Sequence, residues 1–377
     1  MSKSVLRRFC IAALLVGCSS KSPGLPDAGT GMIDSGPGID AGMGSDAGMG
    51  SDAGGNDVPF TLGTSTVAGG AQVGHADGAR KVATFANPVS VAVRDGKLYV
   101  ADFDNGRIRR IDLTTFETTT LIAQAGFVRP FALAFAPDGT LYASTDDVGG
   151  HSLMSGTIWK IAPGATTAVV VARAIGRPRG LAVLPDGQLA ASDYQHQVIE
   201  TVDPTTGAVT VLAGTWDMPG FADATGADAR FQSPYGMVVR GDGALVVADY
   251  NNHRIRVVTR DGVAITLAGT GTAGADDGDP AAATFRRPVG VAIADSGDLF
   301  ITDTENYRIR RITDTMVQTI AGDGVAGYRD ADDPLASEFY GIEGLAVAPD
   351  GTMVYVADGS RGEDLPYNRI RQIAKHW

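Results

Sequence analysis

Cysteine is missing from all but the first 18 of the 377 residues, where Cys10 and Cys18 stand. The remainder therefore has no disulfide, no thiolate nucleophile and no Cys-based metal site. Aromatic residues make up only 7%, and there is no Gly-x-Ser-x-Gly element. Basic charge is short: 31 Lys and Arg stand against 43 Asp and Glu, a net charge of −12. A groove that tracks phosphate needs clustered Lys and Arg, so nucleic acid is excluded as a partner. A basic membrane-surface helix is absent as well. What the chain has in excess is glycine, 50 residues, pointing to many tight turns and to a low-complexity segment.

The start reads as an export signal over residues 1–17. Lys3, Arg7 and Arg8 precede an apolar run from Phe9 to Val16, too short to span a bilayer. It ends Leu15-Val16-Gly17-Cys18, which resembles the lipobox of bacterial lipoproteins. That resemblance implies cleavage before Cys18 and lipidation of Cys18. With Ser19 following, it also implies an outer-membrane destination. Residues 18–57 are Gly, Ala, Ser and Asp with almost no large apolar residue. Such a segment cannot offset its ordering entropy and reads as a disordered tether with a reach of roughly 35 Å.

Residues 58–377 are a repeat array. The segments 99–111 (YVADFDNGRIRRI), 246–258 (VVADYNNHRIRVV) and 300–312 (FITDTENYRIRRI) match position by position. Copies at 142–161, 190–202 and 355–373 carry insertions or substitutions. A Pro-led apolar block precedes each copy, beginning at Pro88, Pro130, Pro178, Pro234 and Pro288, with Ile342 in the last. Each of the six units reads as four short strands, with Asp-Gly hairpin signals such as Asp138-Gly139 and Asp186-Gly187. Four antiparallel strands at this period describe an all-β, six-bladed β-propeller. The sixth unit lacks a fourth strand. Thr66-Val67-Ala68-Gly69, ahead of the first unit, copies the missing motif and predicts closure of the last blade by an N-terminal strand.

The D-x-x-N-x-R-I-R spacing (Asp102, Asn105, Arg107, Arg109 and its copies from Asp249 and Asp303) resembles the NHL repeat. The links, with A-x-F endings at Phe85, Phe231 and Phe285 and Ser337-Glu338-Phe339 in the last, are similar to those of bacterial secreted NHL proteins. Unit 2 departs with Thr157-Ile158-Trp159 and unit 3 with Val198. A residue repeated in nearly every blade serves the blade. The Asp is expected to accept backbone N–H groups of the strand-two/three turn, and the Arg to rest its stem on the neighbouring blade.

Function is expected where the repeats differ. The residue after each unit's leading Pro sits at the top of the central channel: Val89, Phe131, Arg179, Tyr235, Val289 and Glu343. Phe131, Arg179, Tyr235 and Glu343 are the candidate ligand-binding residues. Arg179 and Glu343 stand opposite in a six-fold ring, and mutual neutralisation in a wet channel is worth only about 0–1 kcal/mol. The insertions at 147–156 and 359–367 belong to the same face. The links Gln124 to Arg129 and Ala174 to Arg177 are short, predicting a low side near units 2 and 3.

Related propellers supply enzyme readings. The amidating-lyase pattern places zinc histidines just after the strand-one Pro, where this chain has none. His196 alone falls in a comparable turn and reads as solvated. Gluconolactonase-type propellers hold one metal with Glu, Asn and Asp; Glu343 supplies one ligand type and no channel Asn accompanies it. Acidic links (Asp276, Asp277, Asp279, Asp330, Asp332, Asp333) resemble a calcium site only weakly, since neighbouring Asp on a turn point apart. The reading is a monomeric, non-catalytic cell-envelope module binding a protein, peptide or glycan, with no catalytic residue, metal or cofactor. The alternatives are a metal-dependent hydrolase or lyase at the channel mouth, and a structural envelope protein.

Overall fold

The computed structural model describes residues 62–146, 156–361 and 368–374. The export signal, Cys18, the tether and most of both insertions lie outside the described residues. Each sequence unit forms one antiparallel sheet, its strands ordered from the axis outward as the chain runs. Blade 1 is Pro88–Arg94, Lys97–Asp102, Arg107–Asp112 and Thr118–Ile122. The other inner strands are Pro130–Phe135, Pro178–Val183, Pro234–Val239, Pro288–Ile293 and Gly341–Val347. Neighbouring inner strands lie side by side all the way round, with Pro88–Arg94 against Gly341–Val347. The protein is a closed six-bladed β-propeller, as the repeats predict.

The ring is tied by the N-terminal strand. Gly63–Gly70 pairs antiparallel with Asn368–Ala374, from Gly63 opposite Ala374 to Gly70 opposite Asn368. It thus supplies the outer strand of blade 6. Blade 4 carries a short fifth strand, Ala224–Thr225, outside Val263–Ala268.

The repeated polar residues form a lock at four blade edges. In blade 1, Asp102 accepts from Ala86 N at 2.8 Å, from Asn105 Nδ2 at 2.8 Å and from Arg109 Nη1 at 2.9 Å. Arg109 also donates to the Thr84 and Ala76 carbonyls and to Asp77 of the preceding link. Its guanidinium stacks on Phe85 at 5.0 Å. Arg256, Arg310 and Arg371 repeat the arrangement over Phe231, Phe285 and Phe339. Each guanidinium is fully buried, and each is the second Arg of its pattern.

One expectation changes in detail. The lock Asp serves the strand-two/three turn only in blade 3, where Asp193 accepts from Gln195 N and His196 N as well as Arg177 N. Elsewhere it takes N–H groups leading into its own inner strand, as with Gln232 for Asp249 and Arg286 for Asp303. The link acids do not gather round one point. Asp277 and Asp330 are spent on Arg310 and Arg371, while Asp279 and Asp333 accept from backbone N–H groups nearby.

Blades 2 and 3 follow the short links and lack both the link Asp and the Arg. Trp159 takes the Arg position in blade 2, packs on Phe127 at 5.3 Å and donates to Thr145 Oγ1 at 2.8 Å. Glu200 takes it in blade 3, buried. A guanidinium there would lack the carbonyls and carboxylate that a long link provides, and an unpartnered buried charge is costly. His196 is not a solvated turn residue. It is 2% exposed, its Nδ1 bonds Asp193 Oδ2, and its ring stacks on Trp216 at 4.0 Å.

Candidate binding site at the channel mouth

Every inner strand slips register just after its leading Pro, or after Ile342 in blade 6. Pro88 pairs with Asp102 but Ser90 with Ala101; Pro178 pairs with Asp193 but Gly180 with Ser192. The other four strands slip likewise. A bulge re-aims the side chain it holds. Val89, Phe131, Arg179, Tyr235, Val289 and Glu343 sit in these six bulges, which the sequence did not announce.

Small residues follow, for a steric reason. A Cβ on Gly180, Gly236 or Gly290 would fall 2.4 Å from the Tyr235, Val289 or Glu343 carbonyl oxygen of the next blade. Hydroxyls bridge the same seams: Ser144 Oγ donates to Pro178 O at 2.8 Å and Thr302 Oγ1 to Glu343 O at 2.6 Å. The inner strands are thereby held close around a central cavity of about 70 Å³. Its lining includes Val89, Phe131, Arg179, Tyr235 and Val289.

Phe131 and Tyr235 meet edge to face with centroids 5.5 Å apart, and Arg179 lies 4.0 Å over the Phe131 ring. Arg179 is not paired with Glu343 by a hydrogen bond. Its Nη2 donates to Asp146 Oδ2 at 2.7 Å, and Arg177 Nη2 shares that oxygen at 3.1 Å. Burial works against the Arg179 charge, and Asp146, Tyr235 and Glu343 act to keep it. Burial pushes the Glu343 carboxyl up to about 7, opposed by Arg179 and Arg361 and assisted by Asp104. The Tyr235 hydroxyl is raised by burial and then by Glu343. Among the described residues, three polar atoms at the mouth are buried without a hydrogen-bond partner: Arg179 Nη1, Asp146 Oδ1 and Glu343 Oε2.

The structure thus brings all four candidate residues to one mouth and adds a second ring that sequence reasoning missed. It is formed by the residue after each lock position: Phe103, Asp146, Tyr194, Tyr250, Thr304 and Gly359. Phe103 contacts Phe131 at 5.9 Å, while Tyr194 and Tyr250 contact Tyr235 at 5.5 and 5.4 Å. The signal was present, since these positions also diverge between otherwise repeated units. In unit 2, Thr145 stands at the lock position opposite Pro130, which leaves Asp146 free to reach blade 3.

A gluconolactonase-type metal calls for several carboxylate and amide oxygens converging on one ion. The donor set here does not fit. Among the described residues no three His, Cys, Asp or Glu side chains are grouped to hold an ion. At the mouth a guanidinium already occupies the neighbourhood of Asp146 and acts on Glu343.

The SMP-30/Gluconolactonase/LRE-like region pattern matches residues 71–273, and the NHL repeat matches residues 285–312. The chain is 29% identical to Protein SUPPRESSOR OF QUENCHING 1, chloroplastic, of Arabidopsis thaliana, over 65% of this chain and 27% of that protein. It is 27% identical to NHL repeat-containing protein 2 of Homo sapiens, over 64% of this chain and 41% of that one. Both relatives are thus matched over less than half their length. An auxiliary nutrient binding protein from Bacteroides thetaiotaomicron superposes with a TM-score of 0.65 at 18% identity, covering 82% of this chain and 75% of that one. At that identity the likeness shows the fold. With the first pattern spanning more than half of its residues, the chain belongs to the SMP-30/Gluconolactonase/LRE-like family and carries NHL repeats on a six-bladed propeller.

Proposed function

We propose that this chain is an exported binding module that takes a ligand at the mouth of its central channel. It is held at the cell envelope, and at the outer membrane, through lipidated Cys18 and the tether that follows. The anchor rests on the basic start, the short apolar run and Leu15-Val16-Gly17-Cys18. The observation that carries the binding reading is the mouth itself. Six register slips hold six divergent side chains around the channel, five of them lining its cavity, and among the described residues three polar atoms there are buried without a partner. Buried unpaired donors and acceptors cost about 1–3 kcal/mol each, so stability alone does not account for them. The likeness to an auxiliary nutrient binding protein supports the same reading.

A glycan and peptide array probed with the full chain tests it. Tyr235→Ala is expected to weaken the binding found by about tenfold or more, as loss of an aromatic anchor does. Replacement of Asp186, in a hairpin turn away from the mouth, is expected to leave it unchanged. The opposite pattern would place the site elsewhere. A metal-dependent hydrolase or lyase is a second reading, favoured by the family match over residues 71–273. Lactone hydrolysis that chelation abolishes would establish it over the binding reading.

A further inference from the structure

We propose that the channel mouth is built to receive a carboxylate, so that its ligand is a small acid or the acid group of an acidic sugar rather than a neutral molecule. This deepens the mouth reading and rests on it. Arg179 is only 6% exposed, yet its fork is half used: Nη2 serves Asp146 while Nη1, buried, has no partner among the described residues. A guanidinium presents planar donors that match a carboxylate better than any other common acceptor. Arg179 also lines the central cavity of about 70 Å³. One water needs about 10–15 Å³ on this scale, so the space suits a carboxylate with a few heavy atoms behind it.

Charge counts point the same way. Arg177 and Arg179 share one oxygen of one carboxylate, leaving a positive excess at that spot. Around it stand Arg129 over Phe103, Arg287 over Tyr250 and Arg361 on Glu305. The facing acids are Asp104, Asp146, Glu305 and Glu343, and two of them are engaged by these arginines. This basic focus sits on a chain of net charge −12, where local field lines concentrate an anion that the molecule as a whole repels.

Calorimetry on the full chain with matched twins is the test: galacturonate against galactose, and acetate against acetamide. The two acids separate the sources, an acidic sugar or a short carboxylic acid. At least one acid is expected to bind about tenfold or more tighter than its neutral twin. The double variant Arg179→Gln/Asp146→Asn, which removes both charges together, is expected to erase that difference. Arg179→Gln alone, which leaves Asp146 beside Arg177, keeps the test open should the double variant fail to fold. Acids that bind no better than their twins, or a preference that survives both variants, would overturn the carboxylate assignment. If neutral twins bind as tightly as the acids and weaken on Tyr235→Ala, only the carboxylate falls. If binding of both classes ignores Tyr235→Ala and the Arg179 variants alike, the mouth reading falls with it.

Discussion

Glu343 comes to the mouth from the inner strand of blade 6, and its Oε2 has no partner among the described residues. Burial pushes it up to about 7, while Arg179 from blade 3 and Arg361 from blade 6 hold it down and Asp104 from blade 1 pushes it further up. Its protonation therefore changes inside the physiological range. Below about pH 7 the neutral acid offers an O–H to a bound carboxylate; above it, a second negative charge faces the ligand. A carboxylate ligand stays ionised throughout this window. Galacturonate is expected to bind about fivefold tighter at pH 6 than at pH 8, the size of one like-charge contact at close range in a wet site. Glu343→Gln is expected to flatten the profile by raising the affinity at pH 8. Calorimetry at the two pH values decides, and a wild-type affinity that does not change would show that Glu343 does not face the ligand.

At the scale of elements, the blades divide by the length of the link ahead of them. Long links deliver Asp77, Asp223, Asp277 and Asp330 to Arg109, Arg256, Arg310 and Arg371. The short link ahead of blade 3 delivers none, and that edge holds Asp193, His196 and Glu200 instead. Burial and then Asp193 push Glu200 up to about 8, with His196 opposing. His196 is itself raised on balance: burial lowers it, and its bond to Asp193 together with the charges of Asp193, Asp217 and Glu200 more than offsets that. Both groups have folded values above their unfolded ones. Their contributions are thus fully present at low pH and fade as pH rises, for Glu200 between about 4.5 and about 8. Glu200→Gln is expected to gain on the wild type in thermal melts as pH rises from 5 to 9. A constant difference across that range would mean that Glu200 is ionised throughout.

The same blades show what the sequence carries. The period, the lock Asp and Arg, and the closing strand were legible because each repeats at a fixed spacing. The mouth was half legible: the residue after each leading Pro was readable as divergent, and Phe131, Arg179, Tyr235 and Glu343 do converge. The Asp146–Arg179 pair joins two blades through space, and no periodicity in one unit reports on its neighbour. The buried state of His196 was hidden for a similar reason, because its stacking partner Trp216 arrives from the following link.

For the whole molecule, stability depends on one non-local pairing. Without Gly63–Gly70, the strand Asn368–Ala374 is left as an open edge and the fully buried Val67 and Ala68 are lost from the seam with blade 1. Thr64 also tethers this strand to the last link through two backbone bonds with Ala331, at 2.8 and 3.1 Å. Starting the chain at residue 71 is therefore expected to cost more than about 3 kcal/mol, since burial of one Val side chain alone is worth about 1.5–3 kcal/mol. Starting it at residue 58 is expected to cost nothing measurable, because Gly63–Gly70 keeps its pairing with Asn368–Ala374. Lost side chains and lost closure are separable, since Gly63 lies opposite Ala374. Residues 58–70 moved behind residue 377 on a short Gly-Ser connection would run back along Asn368–Ala374 as a simple hairpin. Such a permuted chain keeps all the contacts while giving up the join between distant ends. Urea melts are expected to return it to within about 1 kcal/mol of the parent, because the entropy of closing a loop grows only slowly with its length. A permuted chain as unstable as the one starting at residue 71 would show that the strand contributes by holding the links ahead of blade 1, rather than by completing blade 6.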